Sequence, residues 1–229
     1  MTYMLYDTLS WRILGFDCVH QELLAWESCR GIIIAEVKMF PVAHPRTMQS
    51  ARDLMALNPV FLDTETTGTG ANDLIIEVGI VDLEGNTLFD ALVNPGIPIP
   101  AESSAVNEIT DEMVADKPGW GQIWHEIEAV LHNRAIGIYN ADFDMRLLRQ
   151  SNQAAGLPWT LQNDQAFCVM RLFAAWYGEW NARNNGFRSQ KLAFAGSFCG
   201  IELPNNHHAV DDARLTAALL RYLAGYEKK

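Results

Sequence analysis

The sequence predicts an α/β domain with a mixed sheet, on three observations. Strand-like apolar runs follow one another between residues 59 and 96, a helical pattern then leads into another apolar run at 135 to 140, and the chain beyond is largely helical in character. Strands met in succession pair antiparallel, whereas a strand reached through a helix lies parallel to its neighbour, so both kinds of pairing are expected.

The first run, PVFLDTETTGTG at 59 to 70, is a short buried strand that breaks into a Thr/Gly loop, which leaves two carboxylates at the strand end. DLIIEVGIVDLEGNTLFDALVNPG at 73 to 96 holds two strand-like segments joined by Glu84-Gly85-Asn86, the pattern of an antiparallel hairpin. After IPIP at 97 to 100, WGQIWHEIEAVLHN at 120 to 133 spaces Ile123, Ile127, Val130 and Leu131 as one face of a helix, which feeds the strand AIGIYN at 135 to 140. Helices are expected over 142 to 156, ending at a glycine, over 168 to 177, over 190 to 200, and from near Ala209 through LTAALLRYLAG. GIIIAEVKMF at 31 to 40 reads as a further strand, His44-Pro45-Arg46 as a linker, and Met48 as an alternative start. Residues 1 to 50 are therefore read as an accessory extension and 51 to 229 as the main domain.

The chain has 229 residues, 49% of them hydrophobic and 20% charged, enough for one packed domain plus an appendage. No stretch approaches the roughly 20 apolar residues that cross a bilayer, and the opening residues lack a basic start followed by an apolar run. The four cysteines, Cys18, Cys29, Cys168 and Cys199, form no CxxC pair, which fits reduced thiols and a cytoplasmic protein. A formal charge of −11 argues against a broad basic face that grips nucleic acid. Residues 58 to 229 carry 22 acids against 12 bases, and bound divalent cations would offset part of that balance.

Three groups of polar residues sit where regular elements begin or end. Asp63 and Glu65 are two apart, so in a continuing strand they share one face and could share a metal. Asp144 follows the 135 to 140 strand in the first turn of a helix, with Asn140 placed to cap or orient the turn. His207, His208, Asp211 and Asp212 gather at the start of the final helix, where a general base and a carboxylate could project together. Each alone is an ordinary solvated strand edge or polar helix start; the ordered set is much less expected by accident.

With FLDTETTG, NADFD and HHAVDDA in that order, the chain resembles the DEDD exonuclease superfamily, in its DnaQ-like branch, over roughly residues 58 to 225. The segment 94 to 114 and the Lys-Leu of KLAFAGSFCGI are similar to that branch as well. The resemblance implies a ribonuclease H-like fold with a five-stranded mixed sheet flanked by helices. It places metal ligands at Asp63, Glu65, Asp144 and Asp212, and a catalytic histidine at His207. The doubled residues leave a question of register, since His208 to Asp212 or His207 to Asp211 would give a spacing of four; only His207 to Asp212 also aligns Ala209 and Ala213 with the third motif, HxAxxDA. Two departures stand near the expected substrate groove: Asn107-Glu108 where the family often has His-Gly, and Thr69 where it often has Leu.

The implied activity is 3′-to-5′ exonucleolysis that releases nucleoside 5′-monophosphates, with two Mg²⁺ or Mn²⁺ ions and His207 as general base. Thr66 and Asn140 are the expected contacts to the terminal nucleotide. DNA is favoured over RNA as substrate, and Arg183, Arg188 and Lys191, with Phe187 among them, are candidates for strand contacts. Trp120, Trp124, Trp176 and Trp180 sit in or beside helical patterns and are expected in the core. The sequence leaves the oligomeric state open, with a homodimer or a protein partner on the N-terminal extension as candidates. Two other readings stand beside it: a catalytically silent nucleic-acid-binding or regulatory module, against which the intact carboxylates and His207 count, and a phosphodiesterase of very short oligonucleotides that uses the same metals and base.

Overall fold

The computed structural model of the protein describes residues 45–162, 164–183, 185–204 and 207–225. The strand expected at 31 to 40 lies outside these, as does nearly all of the expected extension. Its boundary after residue 50 falls within a continuous helix, α1 (Pro45–Ala56), in which Ala51 is fully buried. Proline at the first helical position needs no hydrogen-bonded N–H, so Pro45 starts this helix rather than breaking it.

Five strands form one sheet in the order β3-β2-β1-β4-β5. They are β1 (Val60–Thr66), β2 (Ile75–Val81), β3 (Thr87–Leu92), β4 (Ile136–Ile138) and β5 (Ala166–Cys168). β1, β2 and β3 pair antiparallel, while β4 pairs parallel with both β1 and β5. The hairpin turn after β2 is closed by Asp82, whose Oδ1 accepts the backbone N–H of Glu84 at 3.0 Å and of Asn86 at 2.8 Å. Cys168 closes β5, so the helix expected from 168 starts one residue later as α6 (Val169–Tyr177).

The sheet is covered on both faces. On one side α4 (Trp120–Leu131) and α5 (Ala141–Ala154) pack Ile123, Trp124, Leu147 and Leu148 against Val60, Leu62, Val78 and Ile80. On the other, α1, α6, α7 (Leu192–Phe198) and α8 (Ala209–Leu223) enclose Phe61, Val81 and Tyr139. Alternation along β1 thus sends Leu62 to the first layer and Phe61 to the second. Two short helices, α2 (Ala101–Asn107) and α3 (Asp111–Val114), fill the stretch before α4.

A two-stranded hairpin, β6 (Trp180–Asn181) and β7 (Gly186–Phe187), occupies the segment that holds the candidate strand contacts Arg183, Arg188 and Phe187. Trp120, Trp124 and Trp176 are buried as expected, but Trp180, on this hairpin, is 55% exposed. Among the described residues no helix is long and apolar enough to cross a membrane.

Candidate active site

The polar groups singled out in the sequence meet at one end of the sheet. β1 and β2 pair Phe61 with Val81, Asp63 with Gly79 and Glu65 with Glu77. Residues directly opposite on paired strands share a face, so Asp63 and Glu65 lie on the side of Phe61, the side that α8 covers. Thr64 points to the other layer, and its hydroxyl donates to Asp144 Oδ1 at 2.8 Å. That bond ties the first turn of α5 to the strand that carries Asp63 and Glu65.

α8 brings the third group. Ligand atoms of Glu65, His207 and Asp212 lie within 4.8 Å of one another. His207 is exposed and sits in the left-handed backbone region at φ 57°, immediately before the helix, whereas Asp212 is buried one turn inside it. The doublets separate here. His208 Nδ1 stands 3.7 Å from Glu77 Oε1, and Asp211 accepts from Arg214 at 2.8 Å.

Burial and crowding of like charge dominate the electrostatics. Burial, then repulsion from Asp144, Asp212, Glu65 and Glu77, raises the Asp63 carboxyl well above the usual range. Glu65 is pushed up to about 8, first by burial and then by Asp212 and Glu77, against a hydrogen bond from Asn107. Asp144 is pushed up to about 7 by burial, which outweighs the hydrogen bond from Thr64. Such a cluster cannot ionise fully at neutral pH by itself; a divalent cation among its oxygens would remove the obstacle.

Several contributors were not singled out by motif. Glu77 is buried, and its Oε2 accepts the backbone N–H of Ala209, the first residue of α8, at 2.9 Å. A lone carboxylate inside the apolar run IIEVGIV was the available signal. Gly79, two residues on, meets the helix directly: a Cβ there would lie 2.2 Å from Val210 N. Asn107, known only as a departure from the family pattern, is buried; its Nδ2 donates to Thr66 O at 3.3 Å, and it also hydrogen-bonds the Glu65 carboxylate. Glu108 beside it takes the left-handed conformation that suits glycine, at φ 59°.

The loop after β1 is braced from two sides. Arg146 of α5 donates to Gly70 O at 3.0 Å and Thr69 O at 3.1 Å, and Ser103 of α2 donates to Thr67 O at 2.5 Å. Thr66 is buried and its hydroxyl donates to Gly68 O at 2.8 Å. Asn140 is exposed just before α5 and its side chain makes no cap hydrogen bond, contrary to the expected capping role.

The exonuclease family model RNase_T matches residues 60–220, a span that includes all of these groups. The chain belongs to that exonuclease family. The match to RNase_T is reinforced by exonuclease CP81 of Escherichia phage 186, which is 35% identical over 181 residues, 77% of this chain and 93% of that protein. Solved structures share the fold. Exonuclease X in complex with 5′ overhanging duplex DNA superposes with a TM-score of 0.52 at 24% identity, over 73% of this chain and 93% of that one. The nuclease domain of 3′hExo, a DEDDh family member bound to rAMP, gives 0.58 at 15% identity, over 72% and 91%.

Proposed function

We propose that the protein is a metal-dependent 3′-to-5′ exonuclease of nucleic acid strands that releases nucleoside 5′-monophosphates. One observation carries the reading: carboxylates from β1, α5 and α8, far apart in sequence, crowd one site beside His207 in a chain of this exonuclease family.

The donor set fits hard divalent cations, since it is made of carboxylate oxygens and their mutual repulsion is what a cation would offset. Asp63, Glu65, Asp144 and Asp212 would hold two Mg²⁺ or Mn²⁺ ions, which supply Lewis acidity at the scissile phosphate and lower the pKa of the attacking water. His207, exposed at the rim, accepts the proton of that water. Thr64 holds the Asp144 carboxylate in place, and Asn107 holds Glu65. Thr66 and its loop, with Asn140 just before α5, receive the terminal nucleotide and its 3′ hydroxyl.

Purified protein given 5′-labelled DNA or RNA strands with Mg²⁺ or Mn²⁺ should yield a ladder of progressively shorter labelled products, and EDTA should stop it. DNA is the favoured substrate. Internal cleavage at early times, or undiminished activity in EDTA, would refute the assignment.

Metal should also reveal itself in stability. In EDTA the raised carboxyls keep protons in the folded chain that the unfolded chain releases, so this cluster destabilises the fold increasingly as pH climbs from about 4.5 towards 8. Below that window the penalty is absent. Saturating Mn²⁺ binds the ionised form and should raise the melting temperature by roughly 5–10 °C at pH 8, on the order of 2–3 kcal/mol. At pH 5.5 the gain should be smaller. Thermal denaturation with and without Mn²⁺ at the two pH values checks this; an equal or larger gain at pH 5.5 would contradict it.

A further inference from the structure

The β6–β7 hairpin carries two large apolar rings in water. Trp180 is 55% exposed and Phe187 44%, and they meet edge to face at 5.4 Å between centroids. An exposed aromatic pair on a short, otherwise polar hairpin marks an interaction surface rather than a misplaced piece of core. Its surroundings are basic in a chain of net charge −11: residues 179 to 191 hold Arg183, Arg188 and Lys191 against one acid, Glu179. Glu179 closes the stem, accepting from Arg188 at 3.1 Å and from Gln190 at 2.7 Å.

The hairpin is tied to the catalytic end of the sheet. Phe61, two residues before Asp63, pairs with Gly137 of the adjacent strand, and Tyr139, just past the end of that strand, packs with Phe61 in the α8-side layer. The Tyr139 hydroxyl donates to Gln190 O at 3.0 Å. The returning chain therefore passes within one tyrosine side chain of the strand next to Asp63. Phe187 lies three residues further, at most about 10 Å away along the chain. A strand with its 3′ end among the carboxylates would reach the hairpin within a few nucleotides.

We propose that this hairpin is a landing platform for the single-stranded part of the substrate, bases stacking on Trp180 and Phe187 and phosphates facing the arginines. The inference rests on the nuclease reading of the neighbouring site and extends it to where the strand runs. Stacking rings bind any base, and cations placed locally allow a strongly acidic protein to hold a polyanion without a broad basic face.

The test uses the full chain and a 5′-fluorescent single-stranded DNA 12-mer. Binding is read by anisotropy in EDTA, turnover in Mg²⁺, and folding by melting temperature. The double variant Trp180→Ala/Phe187→Ala should weaken binding at least about tenfold and raise KM similarly, with kcat and melting temperature little changed. Trp180→Phe should retain most of the affinity. Arg183→Gln/Arg188→Gln should lower the slope of log affinity against log salt by about one to two.

Wild-type affinity and KM in the aromatic double variant would overturn the proposal. So would a joint fall in kcat and melting temperature at unchanged KM, which would make the hairpin a support of the fold. Loss of self-association with strand affinity intact would reassign the rings to a contact between copies. A wild-type protein that binds the strand through these residues but never shortens it would sink the nuclease reading and leave the platform standing.

Discussion

Asp63→Ala is expected to lower the rate of nucleotide removal by about a thousandfold or more while leaving the protein folded. Asp63 faces α8 from the middle of the acidic cluster, with Glu65 on its own strand and Asp144 and Asp212 near enough to raise its pKa. In the proposed mechanism its carboxylate would help to hold the divalent ions, and metal assistance would contribute several kcal/mol at about 1.36 kcal/mol per tenfold of rate. Removing one acid also relieves repulsion among the others. The metal-free variant should therefore melt at or above the wild-type temperature even as it fails to turn over. Single-turnover assays on a labelled strand and a melting curve suffice, and a variant that keeps a tenth of the wild-type rate would remove Asp63 from the centre of the mechanism.

His207→Ala is expected to slow the reaction by roughly 10²–10⁴-fold, the usual worth of a positioned general base. Its neighbour provides the comparison. His208 stands beside Glu77 rather than in the group formed by Glu65, His207 and Asp212, so His208→Ala should cost about tenfold or less. Equal losses in the two variants, or a larger loss at 208, would transfer the proton to the other imidazole. Metal-dependent stabilisation should survive in both variants, because the carboxylates remain.

The parts of the fold that were legible are those whose pattern is long or punctuated. β2 and β3 announce themselves by apolar runs around a Gly-containing turn, and α4, α5 and α8 by helical spacing or strongly marked starts. The shared face of Asp63 and Glu65 follows from a period of two, which survives in the structure because β1 continues past them. Short elements were another matter. β5 has three residues and β6 and β7 two each, too few for any periodicity, so their pairing is decided by the neighbours they meet in space. The local pattern therefore predicts a helix at Cys168 and a core position for Trp180, where the structure has a strand end and an exposed ring. Asn107 and Glu77 were missed for a related reason: their partners, Thr66 and Ala209, lie 41 and 132 residues away. Sequence spacing shows nothing of such pairs.

Where β2 crosses α8, backbone rests on backbone: no side chain is interposed at Gly79, and the Glu77 carboxylate clasps the first amide of the helix. Strand and helix are thereby coupled like the jaw and shank of one tool. Even an added methyl at Gly79 would act as a wedge between this strand and the helix that carries Asp212.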